Sequence, residues 1–144
     1  MPTDVQVEVS IRRPPGEIRA IMFDPRRDAE WTTGVEASRP LTDGPLHAGS
    51  LVERDVKFAG RRFTYRYEVV TTDERTLELR VARPFPMQVT YRLDDAPDGT
   101  RVSIHARGDA GGFFKLAGPL LNPMVRRNIR RDLEALRRLT DSSI

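Results

Sequence analysis

The sequence predicts an α+β fold in which a curved antiparallel sheet wraps a long C-terminal helix, with two short helices after the first strand. Three observations carry this prediction. Runs of alternating apolar and polar residues recur between Val5 and Arg107, divided by short turn-forming clusters. One early segment switches to helical spacing, and a single apolar stripe at three- and four-residue steps occupies the C-terminal part of the chain.

Val5, Val7, Val9 and Ile11 alternate with Gln6, Glu8, Ser10 and Arg12, the period of a strand buried on one face. Pro14-Pro15-Gly16 stops that strand, and proline suits the first turn of a helix, where its missing N–H costs nothing. Ile18, Ile21 and Met22 then repeat at helical spacing. Asp24-Pro25 ends this short helix, because proline pushes its predecessor out of the α region. A second short helix is expected through Asp28 to Trp31, stopping near Gly34.

From Val35 the chain reads as a meander of strands. Gly44-Pro45 and Gly49 are breakers, a strand follows over Leu51 to Phe58, and Ala59-Gly60 forms a tight hairpin turn. The returning strand sets Phe63, Tyr65, Tyr67 and Val69 on one face, with Thr64, Arg66 and Glu68 on the other. Thr72 to Arg75 turn the chain into Leu77, Leu79 and Val81. Beyond Arg83-Pro84-Phe85-Pro86 comes a strand with Met87, Val89, Tyr91 and Leu93 facing inward. Asp95 to Gly99 close another hairpin, and Val102, Ile104 and Ala106 continue the inner face.

Gly108 to Gly112 read as a flexible connection. Leu121, Met124, Val125, Leu133, Leu136 and Leu139 mark the buried stripe of the long helix. Asn122-Pro123 reads as an N-cap followed by a first-turn proline, so the helix starts there or is kinked there. Strands joined by hairpins favour an antiparallel sheet whose apolar face the helix covers. A long sheet twists and curls, bringing Phe63, Tyr65, Tyr67, Phe85, Met87 and Tyr91 towards Met124 without filling every gap. Each inward tyrosine needs a partner for its hydroxyl, which is a side chain, a water or a ligand.

Pairing across Ala59-Gly60 extends this. With those two residues in the turn, Phe58 faces Arg61, Val56 faces Phe63 and Arg54 faces Tyr65, so Arg54 shares the inner face. A one-residue slip would turn Glu53 and Asp55 inward instead. Arg54 is therefore expected at or near the cavity, binding an anionic or carbonyl oxygen, unless its stem packs and its head reaches solvent at the sheet edge.

At 144 residues the chain suits one domain over residues 1–144. It has no cysteine, which excludes disulfides and zinc–thiolate sites. Met1-Pro2-Thr3-Asp4 lacks the basic and then apolar regions of a secretory leader, so a cytoplasmic location is expected. The pI of about 9.8 accompanies a net charge of only +3. Arginine carries nearly all the positive charge, and a slight excess of so basic a group raises the pI without a strong field, so no nucleic-acid role is expected.

The order of elements resembles the START-like, or SRPBCC, superfamily, whose helix-grip fold is shared with the major birch-pollen allergen. The chain is most similar to the bacterial polyketide cyclase/dehydrase and lipid-transport branch. Pro14-Pro15, Asp24-Pro25, Glu30-Trp31 followed by Val35, Gly49, Glu68-Val69, Gly99-Thr100, and Asp132-Leu133 with Leu136 carry the resemblance across nearly the whole chain. It implies a deep pocket between helix and sheet for lipids, sterols, polyketides or similar molecules, with the Gly108–Gly112 stretch edging its entrance. It transfers no catalytic set.

His47 and His105 are far apart and without cysteine partners, so both are expected at the surface and no metal or other cofactor is expected. Neither a phosphate loop nor a nucleophile elbow is present. Trp31 is expected to anchor the short helices or to wall the pocket, and Asn128 to face the cavity or to sit at the stripe's edge. Arg126, Arg127, Arg130, Arg131, Arg137 and Arg138 flank the stripe as a solvated face, or as a peripheral contact with an anionic membrane surface. The expected ligand is a hydrophobic small molecule held by Arg54, Phe63, Tyr65, Tyr67, Phe85, Met87, Tyr91, Met124 and Asn128. The alternative is a cyclase, aromatase or dehydratase acting in the same cavity.

Overall fold

Strict alternation makes β1 (Thr3–Ile11) a strand with every second side chain buried. The structure, a computed structural model, describes residues 3–114 and 118–142. Pro14-Pro15 opens α1 (Pro15–Met22), which buries Ile18, Ile21 and Met22. A 3-10 turn at Pro25–Arg27 follows, in which the Asp24 carboxylate accepts from the Arg26 N–H, and leads into α2 (Asp28–Trp31). Asp24-Pro25 thus ends the first helix as expected and opens one extra 3-10 turn before the second.

Six strands come next: β2 (Val35–Pro40), β3 (Leu51–Phe58), β4 (Arg61–Thr72), β5 (Thr76–Val81), β6 (Met87–Ala96) and β7 (Gly99–Gly108). With β1 they form one antiparallel sheet in the order β1-β7-β6-β5-β4-β3-β2. The strands that are neighbours in sequence at the start, β1 and β2, therefore lie on opposite edges. The short helices bridge the distance between those edges. Register shifts between Val35 and Ala37, and between Val69 and Thr71, are bulges that add bend and twist to the curl.

The β3–β4 register is the expected one, with Phe58 opposite Arg61, Val56 opposite Phe63 and Arg54 opposite Tyr65. Its turn places Ala59 at φ 52° and Gly60 at φ 79°, the two left-handed residues of a type I′ hairpin. At the far end of β7, a side chain on Gly108 would meet the Pro86 carbonyl at 2.2 Å, so glycine lets β7 close on the start of β6.

A four-residue helix α3 (Gly111–Phe114) occupies part of the expected flexible connection. The long helix α4 (Gly118–Ser142) lies against β1 and the short helices and buries Leu121, Ile129, Leu133 and Leu136. It begins before Asn122 and carries Pro123 inside, which corrects the start expected there. Proline near the opening turns removes only one ladder bond. Met124 is also corrected: it is 38% exposed and does not face the sheet aromatics. At about 100° per residue, Met124 falls roughly a third of a turn from the line through Val125, Ile129 and Leu136. No helix among the described residues is long and apolar enough to cross a membrane.

Candidate functional site

Between the concave sheet and α4 lies a cavity of about 210 Å³. Arg54, Phe63, Tyr65, Phe85, Met87, Tyr91 and Asn128 all line it, brought together from β3, β4, the β5–β6 connection, β6 and α4. Trp31 also forms part of the wall, buried and in edge contact with Tyr91 at 5.7 Å between ring centroids. Two expected residues stand outside. Met124 borders a separate surface groove with Arg127 and Arg131. Tyr67 is on the predicted face but lies under Arg54, whose guanidinium sits 4.7 Å above its ring and screens it from the cavity.

The two ends of the cavity differ in chemistry. At the inner end Arg54 is buried rather than reaching solvent. Its Nε and Nη2 donate to Asp28 Oδ2 at 3.0 and 2.7 Å, and its Nη1 donates to the Tyr65 hydroxyl at 3.0 Å. Nη2 also lies 3.5 Å from the Tyr91 hydroxyl. Ser38 donates its hydroxyl to the same Asp28 oxygen at 3.0 Å. Burial alone would lower the Arg54 pKa, but Asp28 and the ring of tyrosines hold it well above its ordinary value. Burial pushes the Asp28 carboxyl up, and Arg54 and Ser38 pull it back. Guanidinium does not deprotonate in proteins, and the three hydrogen bonds that Asp28 Oδ2 accepts from Arg54 and Ser38 favour its carboxylate form. Burial drives the Tyr91 phenol up to about 12 against the pull of Arg54, so its proton stays in place.

Asn128 and Asp132, one turn apart on α4, complete this end. Asp132 Oδ1 accepts from the Thr33 N–H and the Thr33 hydroxyl, both at 2.8 Å. The Asn128 amide oxygen lies 3.3 Å from that hydroxyl. Burial raises the Asp132 carboxyl to about 6, while Thr33 and, more weakly, Arg54 and Arg131 pull it down.

The outer end is aromatic. Phe63, Phe85, Phe113 and Phe114 meet with ring centroids between 4.9 and 5.9 Å apart, most of them edge to face. Phe58 joins through Phe114 at 5.2 Å. Arg61 stacks on Phe113 at 3.9 Å and donates to its carbonyl. Arg54 and Tyr65 sit two residues from Val56 and Phe63 along the paired strands, so polarity falls off towards the hairpin. Both histidines are away from the cavity: His47 is exposed, and His105 pairs with Asp4 on the outer face.

Sequence reasoning missed Asp28, Asp132 and the pair Phe113-Phe114. The adjacent phenylalanines after Gly111-Gly112 were the available signal, since two large aromatics are out of place in a solvated loop. Asp28 gave none, because its partner is 26 residues away in a different element.

A helix laid across a curved seven-stranded antiparallel sheet, with open space between them, defines a START-type helix-grip protein. The chain belongs to the polyketide cyclase/dehydrase and lipid transport family, whose profile matches residues 2–140. Among solved structures it is similar to the Zhui aromatase/cyclase from a Streptomyces species, at 19% identity and a TM-score of 0.80, covering 98% of this chain and 94% of that one. It is also similar to a START superfamily protein from Mycobacterium smegmatis, at 14% identity and a TM-score of 0.78, covering 99% of each chain. At these identities the likeness is one of fold. No curated protein matches the sequence.

Proposed function

We propose that this protein binds a hydrophobic small molecule in the cavity between the sheet and α4. The observation that carries this reading is the cavity of about 210 Å³, walled by aromatic and aliphatic side chains and ending on a few fixed polar groups. That combination is the usual anatomy of a small-molecule site. The neutral fluorophore N-phenyl-1-naphthylamine is expected to bind saturably, one per chain. Ala106→Trp, which puts an indole into the cavity from β7, is expected to abolish binding in a protein that still folds by circular dichroism. Binding unchanged in that variant, or no saturable binding by the native chain, sinks the reading.

A second reading, a polyketide cyclase, aromatase or dehydratase in the same cavity, is favoured by one feature. Arg54 and the Tyr65 hydroxyl are fixed side by side at its inner end, where they would polarise a carbonyl as charge develops on oxygen. Turnover of a poly-β-keto substrate, lost in Arg54→Lys and Tyr65→Phe, would support it; equal turnover in both variants would remove it.

The protein is further proposed to touch anionic membrane surfaces through α4. Leu120 and Met124 are exposed one turn apart, beside exposed Arg127, Arg130 and Arg131, for which no ion pair is found among the described residues. Flotation with phosphatidylglycerol vesicles, lost when the three arginines become glutamate, is the expected outcome.

A further inference from the structure

A lone arginine at the end of an apolar cavity is a carboxylate receptor, because its Nε–Nη2 edge forks onto two oxygens. Here that edge is already occupied. Both nitrogens donate to Asp28 Oδ2, and the two side chains are 8% and 2% exposed. Asp28 itself is not on the cavity wall; it stands behind Arg54 and cancels its charge from there. A second carboxyl, Asp132, is on the wall.

We infer that the cavity selects neutral molecules bearing a hydrogen-bond acceptor over carboxylates of the same shape, and that Asp28 is the residue that sets this selectivity. The inference rests on the cavity reading above. The charged groups at the inner end are Arg54, Asp28 and Asp132, and Lys57, exposed and bordering the cavity nearer the hairpin, brings the total no further than neutrality, so an incoming anion would lose its hydration with no net positive charge to replace it. What remains available is a set of donors. Of five guanidinium N–H groups, four have partners in the protein, leaving one on Nη1 without a partner among the described residues. The Tyr65 hydroxyl accepts from Arg54 and keeps its own proton to give. A ketone, ester or amide oxygen satisfies such donors without bringing charge.

The test compares two probes of matched size, 2-acetylnaphthalene and 2-naphthoate, by calorimetric titration of the native chain near pH 7.5. The ketone is expected to bind at least about tenfold more tightly, the penalty of an uncompensated buried charge. Asp28→Asn keeps the side chain's shape and its bonds to Arg54 and Ser38 while removing the countercharge. It is expected to raise naphthoate affinity about tenfold or more and to leave the ketone within about threefold. A second measurement needs no variant. Naphthoate stays ionised between pH 7.5 and 5.5, and its handicap should shrink there as Asp132 takes up a proton. The charged groups around Asp132 are Arg54 from β3 and Arg131 on α4, with Thr33 supplying its hydrogen bonds. Tighter binding of naphthoate than of the ketone by the native chain, or an unchanged ratio in folded Asp28→Asn, overturns the inference while leaving the cavity reading intact. Failure of both probes and of N-phenyl-1-naphthylamine overturns both.

Discussion

Asp132 reaches the cavity wall with Thr33 as its hydrogen-bond partner, and burial holds its carboxyl at about 6 instead of the ordinary 3.8. A carboxyl raised in the folded state takes up its proton more readily there than in the unfolded chain. Its contribution is therefore fully present below the unfolded value, and is lost as pH rises through about 6. Asp132→Asn keeps an oxygen for Thr33 and removes the titration. Urea unfolding is expected to show the variant gaining on the native protein by roughly 3 kcal/mol between pH 3.5 and 8, from 1.36 kcal/mol per tenfold change in proton affinity. A gap that does not change with pH would place the titrating group elsewhere. At this scale the sequence was half legible. Alternation and the hairpin register put Arg54 inside, because a slip would have buried two acids instead. Asp28 and Asp132 were not legible as its neighbours, since Asp28 reaches from helix to sheet and Asp132 from α4 to the turn at Thr33, and neither contact follows a local period.

The β3–β4 hairpin carries the inner-to-outer gradient of the site, and its turn contains a detectable strain. Ala59 holds φ 52°, a conformation that costs an L-residue with a plain Cβ about 1 kcal/mol and that asparagine tolerates. Ala59→Asn is expected to stabilise the protein by about 0.5–1 kcal/mol, read as a melting temperature raised by roughly 2–4 °C, with N-phenyl-1-naphthylamine affinity unchanged because the turn is outside the cavity. Strands and hairpins were legible because period two and turn residues are local signals. The N-terminal half of α4 was less so. Asn122-Pro123 resembles a helix start strongly enough to mask the preceding turn, and Met124 satisfies the spacing of the stripe while pointing a third of a turn away from it. Only packing against β1 and α2 decides which side of a helix is buried.

For the molecule as a whole, an internal space means missing contacts, and a ligand that fills it should stabilise the fold through linkage. Saturation with N-phenyl-1-naphthylamine at about 100 times its dissociation constant is expected to add about 2.7 kcal/mol, or roughly 10 °C in the melting temperature. Ala106→Trp should show no such rise. The sequence made the concave sheet and its covering helix legible, because each requires the other to hide an apolar face. The size of the space between them was not legible, since it depends on how side chains from all seven strands and three helices fail to meet. The strand order has one more consequence. Thr3 pairs with Gly108 and Ile11 with Thr100, so β1 must wait for β7, the last of the seven strands to be made, before it finds its place. Hydrophobic Val5, Val7 and Val9 stay without a neighbour for most of synthesis. Such late closure favours slow folding and a nascent chain that depends on shielding by chaperones.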